Sequence, residues 1–237
     1  MPRPFAPLPF SRGVLAVLVL LLIFGGVLRA QDDETLYVLP TQRDRTVNSS
    51  SLAFISDGQF IIAANMLSGT VSIVNPFASR LLVEIPVGKD PRSVAVTPDS
   101  TRAVVVNRGD GTIAVVDIRE QTVSSTIAVG ILPYGVVMLD NVTALVSVQG
   151  THEIAIVDTV SGQVTARIPT LPDPAGLALW GNLLYVSHLW SGEFSLVSVP
   201  QRRVIDTISL GADIGLAQAI TIDTQRGTAY LPQTRLN

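Results

Sequence analysis

The strongest constraint on the fold is internal repetition. Asn65-Met-Leu-Ser-Gly69-Thr-Val-Ser-Ile-Val-Asn75 returns as Asn107-Arg-Gly-Asp-Gly111-Thr-Ile-Ala-Val-Val-Asp117, then as Val148-Gln-Gly-Thr-His-Glu153-Ile-Ala-Ile-Val-Asp158, and again as His188-Leu-Trp-Ser-Gly192-Glu-Phe-Ser-Leu-Val-Ser198. The polar stops at 75, 117, 158 and 198 are 42, 41 and 40 residues apart. A period in this range, with several short strands in each repeat, implies an all-β propeller whose repeats are four-stranded antiparallel blades.

A second marker keeps the same phase. Gly88-Lys-Asp-Pro91-Arg-Ser-Val-Ala-Val96, Gly130-Ile-Leu-Pro133-Tyr-Gly-Val-Val-Met138 and Leu171-Pro-Asp-Pro174-Ala-Gly-Leu-Ala-Leu179 place their prolines 42 and 41 residues apart. A fourth copy, Gly211 to Ala217 leading into Ala219-Ile-Thr-Ile222, lacks the proline. Within the repeat beginning at Arg92, strands are expected at Ser93 to Thr97, Arg102 to Asn107, Thr112 to Asp117 and Thr122 to Val129, with turn-forming residues between them. The nearly unbroken apolar runs Val104-Val-Val106 and Ile113-Ala-Val-Val116 suit strands covered on both faces, while the more polar Val123-Ser-Ser-Thr-Ile127 suits an outer edge. Blades are expected near 52–87, 91–129, 133–168 and 174–210, with a partial fifth at 217–237.

The first thirty residues have another character. Arg3 and Arg12 precede an uncharged run from Gly13 to Leu28, and Leu28-Arg29-Ala30 stands before Gln31. This is the pattern of a secretory signal peptide over 1–30, cleaved after Ala30, and an uncleaved membrane anchor is the alternative. The expected location is therefore secreted, periplasmic or cell-surface. Loss of the three leader arginines takes the formal charge from -3 to -6, and no basic stripe points to nucleic acid. The chain has no cysteine, which excludes thiol nucleophiles, cysteine-based metal sites and a C-x-x-C-H haem attachment within these residues.

Together the markers resemble the YVTN-type β-propeller repeat proteins. The signature has worn forms at Val104-Val-Val-Asn107, Ile62-Ala-Ala-Asn65 and Leu184-Tyr-Val-Ser-His188, followed by the Gly-Thr-Val-Ser-Ile-Val type of strand and, after the first two, by the Val-Gly-x-x-Pro connector. The resemblance spans about Leu52 to Leu231 and implies the fold. It departs from the pattern where Val148 and His188 replace the asparagine. Because the last repeat stops within its fifth blade, and a seven-bladed ring needs on the order of 290 residues, the chain reads as the N-terminal part of a longer protein. The 31–51 segment carries a possible ring-closing strand, Thr35 to Leu39.

In a propeller the loops joining strands two and three share one face with the connectors between blades. That face is expected to hold Arg92, Arg108, Tyr134, His152, His188 and Trp190 as candidate binding residues, with Lys89, Asp90, Asp110, Glu153, Asp173, Glu193 and Asp213 among them. The plain alternative is that loops are polar because water covers them. His152 and His188 read as surface histidines rather than metal ligands, since no third ligand recurs with fitting spacing. Trp190 reads as packing over its neighbour. Asn75, Asp117 and Asp158 read as turn caps, and Gly69, Gly111 and Gly192 as hairpin glycines.

No catalytic or metal-binding set emerges, and no cofactor is expected within the chain. The leading expectation is an exported, non-catalytic propeller that presents its loop face to a protein, glycan or cell-surface ligand, with contact to a membrane only if the leader is kept. One alternative, implied by the resemblance, is the propeller module of a larger exported redox enzyme with a c-type cytochrome or peroxidase-like domain, its haem lying beyond Asn237. A second is a hydrolase resembling the propeller lactonases.

Overall fold

The computed structural model describes residues 27–29, 36–38, 46–55, 58–211, 214–215, 217–223, 225–232 and 234–235. It is a β-propeller. Blade one comprises Leu52–Ile55, Phe60–Asn65, Thr70–Asn75 and Arg80–Pro86. Blade two comprises Pro91–Val96, Arg102–Asn107, Thr112–Asp117 and Thr122–Ala128. Blade three follows with Pro133–Met138, Thr143–Val148, Glu153–Asp158 and Gln163–Pro169, and blade four with Pro174–Trp180, Leu183–His188, Glu193–Ser198 and Arg203–Ser209. In each, consecutive strands pair antiparallel. The hairpin Thr221–Asp223 with Thr228–Tyr230 begins a fifth.

The apolar runs are explained by what lies on either side of each blade. Along the second strand of blade two, Val104 and Val106 enter the core shared with blade three, beside Val136, Met138 and Val146. Their neighbours Ala103 and Val105 turn the other way and meet Ile62, Val71 and Ile73 of blade one. Side chains of a strand alternate between its faces, so a strand sandwiched between two blades needs apolar residues at every position. The same rule joins blades three and four through Leu145, Ile154, Leu177 and Leu184, and carries Trp180 and Tyr185 onto Ile220 and Ile222. Outer strands such as Thr122–Ala128 alternate between exposed and partly covered positions.

Polar bridges fix the spacing of the blades at their centre. The buried Ser147 hydroxyl accepts the Gly135 N–H at 2.8 Å and donates to the Ala175 carbonyl of blade four at 2.7 Å. Ser187 repeats the device one blade later, accepting Gly176 N–H and donating to Ala217. Asn107, the signature asparagine, donates from Nδ2 to the Val87 carbonyl in the connector at 2.9 Å. Each connector then turns through a left-handed residue just before the proline: Asp90 at φ 52°, Leu132 at 54° and Asp173 at 53°. The carbonyls of these three residues accept the N–H groups of Arg108, Gln149 and Leu189, which clamps these three connectors to the loops between strands two and three.

The N-terminal segment follows a course the repeat does not disclose. Thr46–Asn48 pairs with Ala178, Leu179 and Trp180 as a fifth strand on the inner edge of blade four. Ser49 accepts the Leu177 N–H, and Ser50 bridges to Val94 of blade two. Of the expected ring-closing strand, Leu36–Val38 pairs with Val27–Arg29 rather than with a blade. The rest of residues 1–30, read from the sequence as a signal peptide, lies outside the described residues.

Two substitutions test this account. Ser147→Ala strips a buried N–H and a buried carbonyl of their partner, and unfolding in urea should show a loss of about 2–3 kcal/mol. Leu132→Gly relieves a left-handed, half-exposed leucine and should raise stability by about 0.5–1 kcal/mol in the same assay.

Candidate functional site

The first strands of the blades face one another across the centre, and where they meet the connectors they leave a pocket of about 400 Å³. Its wall includes Arg92 and Ser93 of blade two, Tyr134 of blade three, Ser49, Ser50 and Ser51 of the N-terminal segment, Ala64 and Met66 of blade one, and Gln218 before the fifth blade. Arg92 and Tyr134 hold the same position in the repeat, directly after the connector proline. The buried prolines Pro91 and Pro133 begin their strands, which aims the following side chain at the mouth.

Around that mouth the charged side chains form one network. Asp90 lies between two guanidinium groups: Arg92 Nε is 2.8 Å from Oδ1, and Arg108 Nη1 is 3.8 Å from Oδ2. Arg92 also donates from Nη2 to Oδ2 at 3.3 Å. Arg108 reaches across to blade three and donates from Nη2 to Gln149 Oε1 at 3.3 Å. Two positive charges against one carboxylate leave the cluster with an excess of one positive charge, opposite in sign to the chain as a whole.

The network is incompletely partnered. Arg108 Nε and Gln149 Nε2 are shielded from solvent without a hydrogen-bond acceptor, and the Arg92 Nε to Asp90 Oδ1 contact is close but poorly aligned. Gln149 as a whole is only 4% exposed. A buried polar group costs about 1–3 kcal/mol when nothing, water included, supplies its partner. Burial raises the Tyr134 hydroxyl above the usual phenol range, while Arg92 and Arg108 pull the other way. Tyr134 therefore stays a neutral phenol and a hydrogen-bond donor through the physiological range.

Of the six candidates read from the sequence, Arg92, Arg108 and Tyr134 come together here. The other three group elsewhere, around the next connector. His152, itself left-handed at φ 54°, accepts the Asp173 N–H at Nδ1. His188 is not a surface histidine: it is fully buried, with Nδ1 donating to the Pro172 carbonyl at 2.9 Å and Nε2 accepting from Ser195 at 2.8 Å. It takes the structural place of the signature asparagine, tying its loop to the connector. Trp190 stands 57% exposed at the loop tip. Asp213 lies outside the described residues.

Gln149 and the three serines are the functional candidates that sequence reasoning missed. Gln149 shares its repeat offset with Arg108, and two polar side chains at one offset on neighbouring blades were a usable signal. The serines belong to no repeat, so nothing local predicts that they line the centre. The turn caps behave as read. Asn75 accepts the N–H groups of Phe77 and Ala78, Asp117 that of Glu120, and Asp158 those of Val160 and Ser161. These bonds hold the Asp158 carboxyl below its ordinary range. Gly69, Gly111 and Gly192 all have positive φ, near 60–70°. Among the described residues no three of His, Asp and Glu gather closely enough to hold a metal ion.

Residues 36–152 match a family described as YNCE-like beta-propeller. Solved structures share the fold. Hydrazine synthase of Kuenenia stuttgartiensis aligns at 20% identity and a TM-score of 0.69, over 86% of this chain and 59% of that one. The Swd1 β-propeller domain of Myceliophteria thermophila aligns at 12% and 0.65, over 80% and 64%. A functionally unknown protein from Desulfotomaculum acetoxidans aligns at 15% and 0.64, over 78% and 62%. The chain thus spans about three fifths of the length of these structures, and identities so low speak for the fold alone. No curated protein matches it.

The buried histidine makes a pH prediction. Burial, the largest influence on His188, lowers its affinity for a proton below the ordinary value of 6.5. The unfolded chain then binds a proton that the folded one refuses, so His188 supports stability above about pH 6.5 and that support is lost as pH falls through the lower, folded value. Urea midpoints measured from pH 7.5 to 5 should fall for the parent chain and fall less steeply for His188→Asn.

Proposed function

Given that the chain is a β-propeller consistent with the YVTN-type repeat family, we propose that it is an exported, non-catalytic scaffold that binds a ligand on its loop face. The observation that carries this reading is the central pocket, where Arg92, Tyr134 and the serines of the N-terminal segment converge beside the incompletely partnered Arg92–Asp90–Arg108–Gln149 network. Protein pockets that bind small molecules fall in a range of roughly 300–1,000 Å³ and fix orientation with a few placed polar groups. Export rests on the leader pattern of residues 1–30.

The residues at the mouth have the character of recognition rather than of bond chemistry. An arginine is always charged and serves as an anchor, and the neutral Tyr134 donates without acting as a base. Neither supplies an activated nucleophile or a general base near neutral pH.

A thermal-shift screen of the chain against a panel of sugars, sugar acids, amino acids and short peptides tests the reading. A ligand present at 100 times its Kd stabilises the folded state by about 2.7 kcal/mol, a shift of several degrees. At least one class should raise the melting temperature of the parent and leave Tyr134→Ala unmoved. A shift of equal size in both proteins, or none in either, would remove the pocket as the binding site.

A further inference from the structure

We propose that the central pocket takes a hydroxylated monocarboxylate, of the chemical class of the uronic acids, with the carboxylate held by Arg92 and Tyr134. The inference rests on the binding-face reading and adds the chemistry of the ligand. Three observations carry it.

The first is charge. Arg92 and Arg108 outnumber Asp90 by one, so the mouth is balanced by a single negative charge. A carboxylate brings one, while a phosphate monoester brings nearly two and would leave Asp90 facing an uncompensated anion. Arginine's planar fork also matches the two oxygens of a carboxylate.

The second is position. Arg92 is partly exposed, its side chain 35% open to solvent, and it lines the pocket beside Tyr134. Both follow a connector proline at the start of an inner strand, so they stand on neighbouring blades at one height. An anion between them meets a guanidinium from one side and a phenol O–H from the other. Arg92 donates from Nη2 to Asp90 and its Nε lies in charge contact with the same carboxylate, which orients the group and leaves Nη1 for a ligand.

The third is the remaining wall. The hydroxyls of Ser49 and Ser93 are fixed because each accepts a backbone N–H, from Leu177 and Val136. Each keeps a proton to donate. With Ser50, Ser51 and Gln218 they give the pocket a surface of short polar groups, set against Ala64 and Met66. Such a wall suits a ligand that carries several hydroxyls of its own on an apolar ring.

The test is calorimetric titration of the full chain with D-glucuronate, D-glucose and glucose 6-phosphate. Glucuronate should bind, with glucose and the phosphate each at least tenfold weaker. Arg92→Gln should weaken glucuronate tenfold or more, and Tyr134→Phe about threefold, a change that keeps the ring and removes only the O–H. Arg119→Gln, which removes the same charge from an exposed turn between outer strands, should change nothing. Circular dichroism confirms that each variant folds. Glucose binding as well as glucuronate, with both lost in Arg92→Gln, would overturn the carboxylate assignment and leave the binding-face reading standing. Tighter binding of the phosphate would overturn it in the same way. Binding of none of the three overturns the assignment, and the thermal-shift screen then decides the reading beneath it.

Discussion

Everything in this molecule depends on blades being apolar on both faces. A blade standing alone would leave two such faces in water, so its strands are stable only where neighbours cover them. Val104 and Val105, adjacent in sequence, serve different interfaces. This shared burial stacks the blades and brings their first strands together around one centre. It is also why the signature polar residues are few and buried: Asn107, Ser147, Ser187 and His188 each bond across a connector or onto the next blade, and each fixes how one unit sits on another.

The site is a consequence of that stacking. The connector needs a left-handed turn before its proline, and Asp90 supplies it in blade two, where a short side chain that tolerates this conformation also carries charge. Asp90 is thereby set between Arg92, two residues on, and Arg108, whose N–H its own carbonyl accepts. The corresponding turn in the next repeat uses Leu132, which brings no charge, and its loop offers Gln149 instead. The polar network is therefore confined to the junction of blades two and three, although the backbone that builds it recurs around the centre.

Most of the architecture was legible in the sequence. The strands Arg102–Asn107 and Thr112–Asp117 have the bounds that turn residues and apolar runs imply, because a repeat states the same boundary several times over. Half of the candidate site was legible too, since Arg92, Arg108 and Tyr134 stand at repeat offsets that place them on one face. The rest was hidden for physical reasons. His188 is polar in composition but buried in fact, its two ring nitrogens satisfied by Pro172 and Ser195. Trp190 is the reverse, a large apolar residue left at a loop tip. The path of Thr46 to Ser51 depends on pairing with strands about 130 residues away, which no local pattern encodes.

The central claim is that ligand recognition occurs at the middle of the loop face, between blades two and three. Amide hydrogen exchange with and without saturating glucuronate tests it most directly, because it reports position as well as binding. Slowed exchange at Lys89–Ser93, Tyr134–Gly135 and Ser49–Ser51, with no change at the turns Pro98–Thr101 and Asp140–Val142 on the opposite face, is the expected result. Protection confined to the opposite turns, or spread evenly over all the blades, would contradict it.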